Sequence, residues 1–124
     1  MYDDALLISL MKTLLLALLL VTSSAWAEWV KVSSGQYIDP DSIRKDGDLR
    51  RVWELRNYEP ERRSARARME YDCKQERKRI LSISTHSEPM AGGMIVSQYG
   101  EDSIWRDIPP DTVAELLLKI VCAK

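Results

Sequence analysis

Few side chains in this 124-residue chain could do covalent chemistry. Its one histidine, His86, stands among Ser84, Thr85 and Ser87. A serine beside a histidine is the start of a nucleophile and base pair, but a triad also needs a buried carboxylate to orient the imidazole. The sequence gives no sign of that orientation. His86, Met90 and Met94 recur every four residues, and imidazole with thioether ligands would suit copper. Pro89 and Gly92-Gly93 argue against the helix that would align them, so "HSEPMAGGM" reads as a loop or turn from which Met94 enters the core. Gly92-Gly93 also lacks the rest of any phosphate-cradling loop. No catalytic residue, cofactor or metal ligand is expected.

Two features remain. Cys73 and Cys122 are the only cysteines, too few to close a structural zinc site. "RRSARARMEYDCKQERKRI", residues 62–80, carries eight basic residues against three acidic ones. Such a run could face a polyanion, yet the whole chain has 18 basic and 19 acidic residues, so the excess is local.

The compartment narrows both. In "MKTLLLALLLVTSSAWAEW" Lys12 precedes an apolar run, Leu14 to Val21, followed by Ala25-Trp26-Ala27. These are the charged, apolar and cleavage regions of a secretory signal, with cleavage expected between Ala27 and Glu28. Asp3 and Asp4 stand where such a signal wants positive charge, so Met11 is the expected start. Cleavage takes one lysine and two aspartates from the totals and leaves 17 basic and 17 acidic residues. An exported protein of zero net charge meets little nucleic acid. The oxidising compartment favours pairing Cys73 with Cys122. In the chain-entropy model, closing that loop contributes roughly 4 kcal/mol. An intermolecular bridge and two free thiols stay open as alternatives.

The elements that hold these residues follow from periodicity. "EWVKVSS" reads as a first strand and "QYIDP" as a short extended piece stopped by Pro40. Asp46-Gly47 marks a hairpin turn, after which Leu49, Arg51, Trp53 and Leu55 alternate with Arg50, Val52, Glu54 and Arg56. In the basic run, Ala65, Ala67, Met69, Tyr71 and Cys73 share one strand face, expected to be core. Ser64, Arg66, Arg68, Glu70 and Asp72 share the other, expected to be wet. "CKQER" turns the chain, and Arg77 to Ser84 forms the partner strand, making a cross-strand ladder of charges. "IVSQYG" and "IWRDI" are further strand candidates, with Trp105 as a buried anchor. "PPDTVAELLLKIVCAK" changes to a helical period: Thr112 and Glu115 make a capping box, and Val113, Leu116, Leu117 and Ile120 an apolar face.

Glu70-Tyr71-Asp72-Cys73, Arg79, Gly92-Gly93, Trp105, the Pro-rich helix start and Val121-Cys122 together resemble the bacterial surface-adhesin protein E family. Trp29, "YIDPDSIR" at 37–44 and Val52-Trp53 fit the same pattern. The resemblance implies a small antiparallel sheet with a C-terminal helix tethered by a disulfide, in an exported, non-enzymatic protein that adheres to host extracellular proteins and can dimerise. The chain departs from the family in two places. No lipid-attachment cysteine follows the apolar run, and Pro110-Asp111-Thr112 stands where the family tends to Pro-Gly-Ser, a change the cap tolerates.

The expectation is an α+β domain over 28–124, mainly an antiparallel sheet of about six strands, with one C-terminal helix packed on it and held by Cys73 and Cys122. The expected function is a non-enzymatic, adhesin-like binding protein of the periplasm or cell surface, after Sec-type export. A periplasmic structural or assembly factor is the alternative, and a small copper-handling protein a remote third. Partners are a protein or glycan outside the cell, and a homodimer is allowed; nucleic acid and stable membrane insertion are not expected. Arg66, Arg68, Arg77 and Arg79 form the candidate partner-binding face.

Overall fold

A run of alternating strands joined by short polar turns has one simple solution, an antiparallel meander with neighbours in sequence side by side. The computed structural model, which describes residues 6–13, 28–100 and 104–124, has that architecture. The strands are β1 (Val30–Ser33), β2 (Gln36–Asp46), β3 (Leu49–Tyr58), β4 (Arg63–Asp72), β5 (Arg77–Glu88) and β6 (Gly92–Tyr99), in that order across the sheet. A two-residue β7 (Arg106–Asp107) pairs with the start of β5. The chain ends in a helix, Val113–Cys122. Residues 6–13 are also helical, whereas the apolar run and the Ala25-Trp26-Ala27 cleavage region lie outside the described residues.

Two irregularities set which side chains share a face. Pro40 does not stop β2, because it sits where the β2–β3 register shifts between Asp39 and Arg44. A residue without an N–H is tolerated in such a bulge. There the Ser42 hydroxyl accepts from the Trp53 N–H (2.9 Å) and donates to the Asp39 carbonyl (2.7 Å). In β5, Ile80 faces Met69 and Ser82 faces Arg68, leaving Leu81 as the extra residue. That bulge brings Ile80 and Ile83 onto the same side of the sheet, although they are three residues apart.

The β2–β3 hairpin has Gly47-Asp48 between its last pair, Asp46 and Leu49, with Gly47 at φ +57°. The turn is therefore one residue later than Asp46-Gly47 implied. β5 continues through His86 to Glu88, so only Pro89–Ala91, a 3₁₀ turn, separates it from β6. The longer expected loop is thus mostly strand, and Met94 does not enter the core but is 77% exposed. Of "IWRDI", only Arg106 and Asp107 are strand.

The core joins Ile38, Val52, Met69 and Tyr71 of the sheet to Leu117, Leu118 and Val121 of the helix. Val52 rather than Trp53 therefore faces the helix. Leu116, expected on the buried stripe, is 42% exposed. The bond to Cys73 explains this. Cys122 must point at the sheet, and the side chain one turn back, Leu118, points the same way. The Thr112 hydroxyl accepts from the Glu115 N–H (3.2 Å), and the Glu115 carboxylate accepts from Asp111 rather than from Thr112. Cys73 and Cys122 are disulfide-bonded across a separation of 49 residues. The helix thus lies on the sheet with its far end fastened where β4 ends.

Reducing the disulfide, or replacing both cysteines with serine, should lower stability by roughly 4 kcal/mol. Urea unfolding with and without reductant measures this. A loss below about 1 kcal/mol would mean that packing alone holds the helix.

Candidate binding face

Alternation sends every second residue of β3, β4 and β5 to the side of the sheet opposite the helix. Cross-strand register then fixes the rows: Arg51, Glu70 and Arg79; Trp53, Arg68 and Ser82; Leu55, Arg66 and Ser84. Asp72 stands opposite Arg77, and Ser64 opposite His86. All four arginines predicted from sequence lie on this one face.

They do not do the same work. Glu70 is 0% exposed, which corrects the expectation that this side of β4 is simply wet. Arg51 donates to Glu70 Oε2 (2.8 Å), and Arg79 donates to Oε1 through Nε (2.8 Å) and Nη2 (2.7 Å). Arg77 pairs with Asp72 at 3.1 Å, while the other Asp72 oxygen accepts the N–H groups of Lys74 and Gln75 and shapes the turn. Trp105 is not the buried anchor expected. It is half-buried, with the guanidinium groups of Arg77 and Arg79 at 4.7 and 4.6 Å from its ring centre. At the opposite end the Ser64 hydroxyl donates to the Glu88 carbonyl and accepts from the Ala91 N–H, so the 3₁₀ turn covers it. Both ends of the ladder are closed by protein.

The middle is open. Arg66 stacks on Trp53, its guanidinium 4.2 Å from the ring centre, and the buried Nε of Arg66 has no hydrogen-bond partner. Arg66 and Arg68 make no ion pair among the described residues. Trp53 borders two hollows: one of about 260 Å³ with Ser42, Arg44, Arg51 and Arg68, and one of about 150 Å³ with Arg66, Ser82, Ser84, His86 and Gln98. Sequence reasoning missed Arg44, Arg51 and Trp53. Arg51 and Trp53 showed period two, but which arginines they oppose depends on register, and Arg44 reaches this face only through the β2 bulge.

The Ser84 hydroxyl lies 2.8 Å from His86 Nε2. The first pair of a triad is thus present, but no described carboxylate bonds to the ring. Its cationic neighbour is Arg66, and burial together with that charge pushes the His86 pKa down. His86, Met90 and Met94 lie on β5, the 3₁₀ turn and β6 rather than on one helix, and the Met90 sulfur accepts from the Asn57 side chain (3.2 Å).

On the helix side, the Tyr71 hydroxyl donates to the buried Glu54 carboxylate. Burial raises the Glu54 pKa, only partly offset by that bond and by the charges of Lys78 and Arg56. Burial and Glu54 together hold the Tyr71 phenol well above 10. Burial also opposes the charge on Glu70, but there the hydrogen bonds from Arg51 and Arg79 win and hold the carboxyl below its usual 4.5.

The chain matches the family described as surface-adhesin protein E over residues 29–123. Crystal form II of Haemophilus influenzae protein E has the same fold, with TM-score 0.65 at 19% identity, covering 82% of this chain and 91% of that one. The selenomethionine form of that protein gives 0.64 at 19% identity, with coverages of 82% and 90%. No curated protein matches the chain in sequence.

The two buried glutamates should give stability opposite pH dependences. Glu70, with a lowered folded pKa, stabilises above its unfolded value near 4.5 and loses that contribution as the pH falls through the folded value. Glu54, with a raised one, favours folding below 4.5 and costs stability as the pH rises through its folded value. Glu70→Gln should cost about 2 kcal/mol at neutral pH, less than a fully buried pair because its arginines reach water, with the loss shrinking in acid. Glu54→Gln should gain on the parent as the pH rises from about 4 to 8. Urea unfolding from about pH 2 to 8 tests both, and parallel curves would refute the assignment.

Proposed function

The chain belongs to the surface-adhesin protein E family, and from that membership we propose that it is an exported, non-enzymatic, adhesin-like binding protein of the bacterial periplasm or cell surface. The observation that carries this reading is the extent of the match, which begins one residue after the expected mature start, Glu28. Residues 28–124 then form the working domain and residues 1–27 the leader. The open middle of the arginine face supports binding through side chains.

Strand β6 supports a second contact. It is an outer strand of the sheet, and Met94, Ile95, Val96 and Tyr99 are exposed on it. Such an edge pairs readily with another strand, and a second copy of this chain supplies one. A periplasmic assembly role keeps its place because no lipid-attachment cysteine follows the apolar run.

Location separates these roles. Protease added to intact cells should remove the protein, and the mature mass should begin at Glu28. Full protection until the outer membrane is opened would favour the assembly role. For the edge, Val96→Lys should convert a dimer to a monomer in sedimentation; a parent chain that already sediments as a monomer would end that proposal.

A further inference from the structure

We propose that the cleft straddling Trp53 is a site for an acidic glycan, a chain of sugars bearing carboxylate or sulfate groups. The inference rests on the binding-protein reading above and names its ligand class. Arg44, Arg51, Arg66 and Arg68 converge on one stretch of the face, with Trp53 between the two hollows. Arg51 is held by Glu70, which places it. Arg44 donates to the backbone carbonyls of Asp41 and Ile43. Arg66 and Arg68 make no ion pair among the described residues, and a buried donor of Arg66 is unsatisfied. An unsatisfied buried donor is costly until an acceptor arrives. Besides Glu70, Asp39 is a nearby acid on this face, and its carboxylate accepts the Asp41 N–H at 3.2 Å.

A guanidinium fork matches a planar carboxylate or a multi-oxygen anion. Ser42, Ser82, Ser84 and Gln98 interleave with the arginines and add neutral hydrogen-bonding groups of the kind that pair with sugar hydroxyls. Trp53 offers apolar area at the centre. Each hollow has room for one small group rather than a folded domain. An acidic peptide is the less favoured occupant. A sheet face has already committed its backbone groups to the ladder, so a peptide laid on it gains none of the main-chain bonds that a sheet edge supplies. A glycan needs only side chains.

The test is a titration of purified mature protein with a short, size-defined heparin fragment, followed by tryptophan fluorescence at several salt concentrations. Neutral dextran and polyglutamate of matched length serve as controls. The fragment should bind with affinity falling as salt rises, and more tightly than either control. Arg66→Ser with Arg68→Ser should weaken binding roughly tenfold or more and lower the salt slope by about 1.5, with the melting temperature unchanged. If that pair disturbs folding, Arg44→Ser, at an exposed position, should still weaken binding by about threefold. No binding by the parent, or unchanged affinity in the folded variants, overturns the proposal. Polyglutamate binding as tightly as heparin overturns it in favour of an acidic protein surface. Because the titration uses purified protein, its failure leaves the adhesin reading standing, whereas a protein never exposed on cells defeats that reading whatever the titration shows.

Discussion

Burial of β4 on both faces is the constraint on which the rest of this molecule depends. Tyr71 and Glu70 are neighbours in sequence, point to opposite sides of the sheet and are both 0% exposed. A tyrosine meets that condition with one bonded oxygen, and Glu54 accepts its hydrogen bond on the helix side. A carboxylate needs far more, because an unpaired charge does not survive burial. Arg51 and Arg79 reach Glu70 from the two flanking strands, so β3, β4 and β5 are tied together across the face opposite the helix. The next residues, Asp72 and Cys73, add the turn and the covalent tether of the helix.

The same constraint divides the basic face. Where β4 carries Glu70 and Asp72, the guanidinium groups of Arg79 and Arg77 are neutralised and stacked on Trp105, and they belong to the framework. Where β4 carries Arg66 and Arg68, the opposing residues are Leu55, Trp53, Ser84 and Ser82, none of which can neutralise a cation. Charge recurs along the whole strand, but an unanswered charge only along half of it. A run with eight basic residues therefore holds two kinds of arginine, distinguished by what lies across from them rather than by their own spacing.

Much of the architecture was legible because it depends on local chemistry. Alternation in residues 64–73 put Tyr71 and Met69 in the core, Asp46-Gly47 located the hairpin to within one residue, and Thr112 with Glu115 marked the helix start. An even cysteine count and the expected export favoured pairing Cys73 with Cys122, and the bond is present. Failures came where local rules meet a neighbouring strand. Pro40 read as a stop because its strand partner is invisible in sequence, and Leu116 read as buried because the bond of Cys122 sets the helix's rotation.

The sequence by itself determined the strand and turn order, the helix, the pair of cysteines and the four arginines sharing one face, all consequences of short-range sterics and side-chain period. Only the tertiary structure decided that Glu70 lies fully buried between Arg51 and Arg79, that Trp105 is held by two guanidinium groups, and that Arg44 joins Arg66 and Arg68 beside Trp53. Those outcomes depend on register and on two bulges. A shift of one residue in pairing exchanges the faces of a strand, and no pattern within a single segment records where its neighbour is bulged.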